Sequence, residues 1–211
     1  MKHNKRIGIL VIALTLAISS MTGVAFAASN EIDYSQWNTN SAYPTDIDNT
    51  PYAAAVKTLI NKKILTGYPD GTFKPANPIT RAEIAVAITK MTNRTSQVAE
   101  NATKNIFTDL TNYDWAKGQI NTLAQAGLVK GMTETTFAPA KNISYAELIT
   151  ILIRTNSGAA SELDAMNNWP NSYIKHAQMY NMLGDVVVKD WNAPATRGDT
   201  AKLIYRFMPK N

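Results

Sequence analysis

Two stretches of this chain are the same unit written twice. Gly67-Tyr68-Pro69-Asp70-Gly71-Thr72-Phe73-Lys74-Pro75 leads into Ile79-Thr80-Arg81-Ala82-Glu83, and Gly131-Met132-Thr133-Glu134-Thr135-Thr136-Phe137-Ala138-Pro139 leads into Ile143-Ser144-Tyr145-Ala146-Glu147. Every position maps by an offset of 64 without a gap. A third, worn copy stands at Pro194-Ala195-Thr196-Arg197-Gly198-Asp199. A short repeated unit cannot bury its own apolar face, so the copies must pack against one another, and this constrains the fold more than any other feature.

Each unit reads as helix, loop, helix. Ala55, Val56, Leu59, Ile60 and Leu65 fall at helical spacing within 52–65, as do Ile120, Leu123, Ala124, Leu128 and Val129 in the second copy. Gly67 and Gly131 stand where these helices are expected to stop. The loop that follows is turn chemistry, with Asp70 before Gly71, and Phe73 and Phe137 as its shared large apolar residues, expected to pin it to the core. Thr80 with Glu83 predicts a capping box, and Ile79 with Ile84 a hydrophobic staple. Ser144/Glu147 with Ile143/Leu148 repeats the device, while Thr196/Asp199 keeps the box and loses the staple. Apolar faces follow each cap, so three helix pairs packed around one axis would bury them with three loops projecting outward. Polar connectors, 92–105 and 155–161, separate the units. The third unit's first helix is expected within 169–183, and its loop carries Val186-Val187-Val188 and Trp191, where a short strand or a packing role is open.

The first 27 residues read as a secretory signal: Lys2, Lys5 and Arg6, an apolar run from Ile7 to Ile18, and Ala25-Phe26-Ala27 before the cleavage point. The protein is therefore expected to be exported, leaving 184 residues with no segment long enough to span a membrane. Losing those three cations from the 21 leaves 18 basic residues against 16 acidic, which gives no support to nucleic-acid binding. There is no cysteine, hence no disulfide framework, and His176 alone remains of the two histidines, which excludes histidine-rich zinc sites. No cofactor is expected, since no glycine loop runs into Gly-Lys-Ser/Thr.

Gly-Tyr-Pro-Asp-Gly-Thr-Phe-x-Pro followed by Ile-Thr-Arg-Ala-Glu, with the lead-in Phe107-Thr108-Asp109-Leu110 and its blurred counterpart Tyr43-Pro44-Thr45-Asp46-Ile47, resembles the S-layer homology (SLH) domain. The resemblance covers roughly 43–208. It implies a mainly α fold in which three helix–loop–helix repeats form a pseudo-threefold helical spindle. The divisions expected are a signal peptide 1–27, an N-terminal segment 28–42, repeats at 43–92, 106–155 and 163–211 (the last degenerate), and linkers 93–105 and 156–162. It further implies a non-catalytic, exported protein at the cell surface or wall. There such domains bind secondary cell-wall polysaccharide, often pyruvylated, in grooves between repeats. The family's ligand-contacting arginine maps to Arg81 and Arg197, each after its cap residue, Thr80 or Thr196; the second unit has Tyr145 there.

The residues themselves allow competing roles. An arginine in a helix's first turn is disfavoured by the macrodipole, but among free N–H groups its fork suits a carboxylate; the plain alternative is pairing with a neighbouring acid. Glu83, Glu147 and Asp199 are explained by capping. Asp70 is a turn-former or a ligand contact, and Tyr68, Trp115 and Trp191 either stack on sugar rings or pack. Arg197-Gly198-Asp199 spells an adhesion tripeptide, but in helical register. Two other functions compete with wall attachment: a surface protein that self-associates or recruits partners, and a glycan hydrolase working with two carboxylates.

Overall fold

The computed structural model describes residues 43–156 and 158–209. The signal peptide and the 28–42 segment expected from the sequence lie outside the described residues. The chain is helical: α1 (Ala53–Asn61), α2 (Arg81–Met91), α3 (Val98–Ala102), α4 (Asp114–Gln125), α5 (Tyr145–Asn156), α6 (Ala160–Ala165), α7 (Asn171–Met179) and α8 (Arg197–Phe207), with 3-10 turns at Thr45–Ile47 and Thr95–Gln97. Among the described residues there is no strand; the valine-rich loop after Gly184 is turn and coil, with Val186 buried and Val187 exposed.

Helix packing is cyclic. The second helix of each unit packs on the first helix of the next: α2 on α4, α5 on α7, and α8 back on α1. The chain segments entering the second helices close the same circle through three backbone hydrogen bonds. Ile79 N–H donates to Ala195 O (3.3 Å), Ala195 N–H to Ile143 O (2.8 Å) and Ile143 N–H to Ile79 O (3.0 Å). Isolated bridges Pro78–Thr196, Thr80–Asn142 and Ser144–Pro194 accompany them. Ile79, Ile143 and Ala195 have no exposed surface, so three N–H and three C=O groups that burial would penalise satisfy one another at the hub.

The capping predictions hold in the first two units. Thr80 accepts from Glu83 N–H while Glu83 takes the Thr80 N–H at 2.8 Å; Ser144 and Glu147 do the same. Thr80→Ala is expected to cost about 1 kcal/mol, read in urea unfolding. In the third unit only half the box forms. Thr196 accepts from Asp199 N–H, but the Asp199 carboxylate is taken instead by the Tyr145 hydroxyl. Asp is one methylene shorter than Glu, and the competing phenol settles the matter. The staple pairs Ile79/Ile84 and Ile143/Leu148 are buried, as are Phe73 and Phe137.

Two expectations need correction. The first helices end well before Gly67 and Gly131; the left-handed residues past their ends are Lys63 (φ 57°) and Gly127 (φ 70°). Gly131 answers to close approach instead, because a Cβ there would lie 2.3 Å from Thr133 O. The connectors are not plain polar loops either. α3 and α6 lie in or beside them, and α3 packs tightly on α4.

Candidate functional site

The three helix starts carry Arg81, Tyr145 and Arg197, and their N–H groups are not free. Arg81 and Ala82 donate to Lys141 O and Pro139 O, Tyr145 and Ala146 to Ala193 O and Trp191 O, and Arg197 and Gly198 to Asn77 O and Pro75 O. Each helix start is thus capped by the loop of a neighbouring unit, so the picture of Arg81 beside open helix donors does not hold.

The side chains follow the same circle. Arg81, 5% exposed, reaches into the second unit, where Nε donates to Phe137 O (2.9 Å), Nη2 to Lys130 O (2.8 Å) and Nη1 to Glu147 Oε1 (2.8 Å). Arg197, 4% exposed, makes the equivalent set in the first unit with Phe73 O (2.9 Å), Thr66 O (2.7 Å) and Glu83 Oε1 (3.3 Å). Tyr145 completes the circle through Asp199 of the third unit. Each capping glutamate therefore uses one oxygen for its own helix and the other for a neighbour's arginine. The guanidiniums also lie against rings, Arg81 on Phe137 at 4.4 Å and Arg197 on Phe73 at 4.6 Å and Tyr68 at 4.7 Å.

A groove of about 440 Å³ opens beside Arg81, lined by Lys130, Met132, Glu147, Arg154, Asp164 and Trp169 among others. That volume lies in the range of small-ligand sites. Trp169 is 54% exposed, yet its Nε1 donates to the buried Thr150 hydroxyl at 3.0 Å. An indole held in place while its ring meets solvent is a ready platform for the apolar face of a pyranose. Arg154 Nη2 donates to both oxygens of Asp164 (2.9 and 3.2 Å), and Tyr173 donates to the same carboxylate. Lys130, with its side chain 67% exposed, stands 3.6 Å from Asp164. The lining has three cations against two carboxylates, so one positive charge is left for an anion.

Burial would raise the pKa of Glu147, but the Ser144 N–H, Arg81 and Lys141 outweigh it and hold the group below its ordinary 4.5. Asp164 is likewise lowered: Arg154 and Tyr173 overcome burial. A carboxylate depressed in the folded state contributes stability above its unfolded pKa and loses it as pH falls through the folded value. Thermal melts should therefore be flat above about pH 5 and fall progressively below it.

The remaining sequence candidates divide. Asp70 makes the turn, accepting from the Thr72 N–H (3.0 Å) and hydroxyl (2.5 Å), and pairs with Lys74 at 2.8 Å, which with Thr72 lowers its pKa to about 2. Tyr68 is half-buried on Arg197 and Lys74. Trp115 and Trp191 are half-buried against the core, and neither lines the Arg81 groove. Thr80 and Thr196 serve as caps. Arg197-Gly198-Asp199 is helical, with Gly198 under the Tyr52 ring. Sequence reasoning missed Trp169, Lys130, Arg154 and Asp164, which lie outside the matched motif positions. It also missed Asp46 and Asp109. Each carboxylate accepts two loop N–H groups, Asp46 those of Phe73 and Lys74 and Asp109 those of Phe137 and Ala138, and so holds Lys74 (φ 54°) and Ala138 (φ 58°) left-handed. That conformation costs about 1–2 kcal/mol for a residue with a side chain, which charge-assisted bonds of this kind offset. The only signal was the Thr-Asp shared by the two lead-ins.

Residues 45–85 and 106–149 match the S-layer homology domain family. The chain is 29% identical over 196 residues to the middle cell wall protein of Brevibacillus brevis, covering 93% of this chain and 17% of that protein. It is 30% identical over 211 residues to a cell surface protein of Thermoanaerobacter kivui, covering 99% of this chain and 25% of that protein. With a cellulosome-anchoring protein of Acetivibrio thermocellus it shares 32% over 145 residues, 64% of this chain and 32% of that one. The chain thus spans a third or less of the length of these relatives.

Proposed function

We propose that the protein is a non-catalytic anchor at the bacterial cell surface, binding an acidic cell-wall polysaccharide in the Arg81 groove, a reading supported by the match of two of its stretches to the S-layer homology domain family. The relatives named as cell-wall, cell-surface and anchoring proteins support the attachment. Repeat divisions at 43–92, 106–155 and 163–211 around one spindle axis belong to the same reading and rest on the cyclic hydrogen bonds at the hub.

The observation that carries it is the pairing of a fixed, exposed Trp169 with a lining of net positive charge. The indole takes a sugar face, and Lys130 is the accessible cation for a ligand carboxylate such as a pyruvyl ketal. Arg81 contributes from behind: two of its clasp bonds hold the ends of the Lys130–Phe137 loop that forms the groove wall, and the third ties that loop to Glu147 on α5. The groove's own carboxylates are each tied to arginine, an arrangement for binding instead of proton transfer.

The test is co-sedimentation with purified walls, intact or stripped of secondary polysaccharide. Binding should require the polysaccharide, and Trp169→Ala should weaken it by about tenfold or more, as loss of an aromatic anchor does. The melting temperature should barely change. Equal binding to stripped walls refutes the glycan; a Trp169→Ala variant that binds normally refutes the groove.

A further inference from the structure

Trp169 is held from inside the protein by a single atom. Its ring is 54% exposed, while the Thr150 hydroxyl that takes its Nε1 proton at 3.0 Å belongs to a residue 3% exposed on α5. A threonine hydroxyl has one hydrogen and two lone pairs. Thr150 spends the hydrogen on Ala146 O, one helical turn back, at 2.7 Å, and that bond selects its rotamer. Oγ1 can then only accept, and an indole N–H can only donate, so the pair has one sense. A solvent-facing ring is thereby tied to a fixed point on a buried helix. With its one polar atom spent inward, the indole has only apolar surface to offer a ligand. Ordering a mobile side chain on binding costs affinity, and a ring already fixed avoids that cost.

Comparison of the units shows that the tether is particular to this groove. Thr150 stands six residues after the cap residue Ser144, where the first unit has Val86 after Thr80 and the third has Lys202 after Thr196. Val86 packs on the core, and Lys202 pairs with Asp185. Neither side chain has an acceptor, so neither position could hold an indole in this way. Ten residues after each cap, by contrast, stands a cation in all three units: Lys90, Arg154 and Arg206. Positive charge recurs; the anchor for a ring does not. We propose that Thr150 is a positioning residue of the Arg81 groove, presetting Trp169 as its sugar platform, a role that rests on the glycan reading of that groove.

Two conservative variants separate positioning from packing. Thr150→Val keeps the shape and removes the acceptor; Ala146 O retains its ordinary helical bond, so the melting temperature should stay close to the parent's. Thr150→Ser keeps the hydroxyl and removes a buried methyl, so it should melt lower. Wall co-sedimentation should give the reverse order. Thr150→Val should bind about two- to tenfold more weakly, the net worth of one hydrogen bond, and Thr150→Ser at parental strength. The Trp169 Nε1 proton, identified in nitrogen–proton NMR spectra by its absence from Trp169→Phe, should exchange with water several-fold faster in Thr150→Val. In the Trp169→Phe background, where there is no proton to hold, Thr150→Val should weaken binding no further. Parental binding or unchanged proton exchange in Thr150→Val, or the same loss of binding in the Trp169→Phe background, would overturn the positioning role alone. Normal binding by Trp169→Ala would overturn it together with the groove.

Discussion

Arg81→Ala should destabilise the protein by about 3–5 kcal/mol, the usual consequence of removing one partner from a buried ion pair. The substitution strands Glu147 Oε1 in a site only partly reached by Lys141 at 3.5 Å, and leaves Phe137 O and Lys130 O without their guanidinium donor. For a chain of this size each kcal/mol shifts the melting midpoint by about 2–4 °C, so a loss of roughly 10 °C is expected by calorimetry. Arg81→Lys, which keeps the charge but cannot span three acceptors, should fall between. A midpoint within 2 °C of the parent would show that the clasp contributes little. This has a practical side: Arg81→Ala is a poor probe of glycan contact, because it lowers binding through the loop whether or not the arginine meets the ligand. Trp169→Ala separates the two.

Phe137→Ala should cost a similar 3–5 kcal/mol, the range for truncating a buried phenylalanine. Its ring is 1% exposed, meets Phe107 at 5.5 Å with the planes tilted by 43°, and lies under the Arg81 guanidinium. Because Arg81 clasps the loop that Phe137 pins, their effects should not add. The double variant should fall short of the sum by about 0.5–3 kcal/mol in urea unfolding. Strict additivity would mean that loop and clasp are independent.

What the sequence made legible was local. Capping boxes, staples and the two pinning phenylalanines depend on residues a few positions apart, and they sit as expected in the first two units. The destination of Arg81 was not legible, because its partners Lys130, Phe137 and Glu147 are 49, 56 and 66 residues away. Pairing with a neighbouring acid was among the readings, but nothing in the chain says which acid. Helix ends were misjudged where a lysine, Lys63, takes the left-handed role usually given to glycine. α3 looked like linker because its apolar content is small, and it is ordered by what it covers. Trp169 escaped notice because it stands at the start of the degenerate third unit, where comparison of copies has least to say.

The hub of three mutual hydrogen bonds has a consequence for how such a protein can change length. In a linear stack, a terminal repeat can be dropped and the remainder keeps every contact but one. Here Arg197 of the last unit lies in the loop of the first, and Ala195 completes the circuit between Ile79 and Ile143. Deleting any one unit opens two seams and leaves two buried faces uncovered, so the smallest viable form is the complete set. Growth by duplication should then proceed in threes.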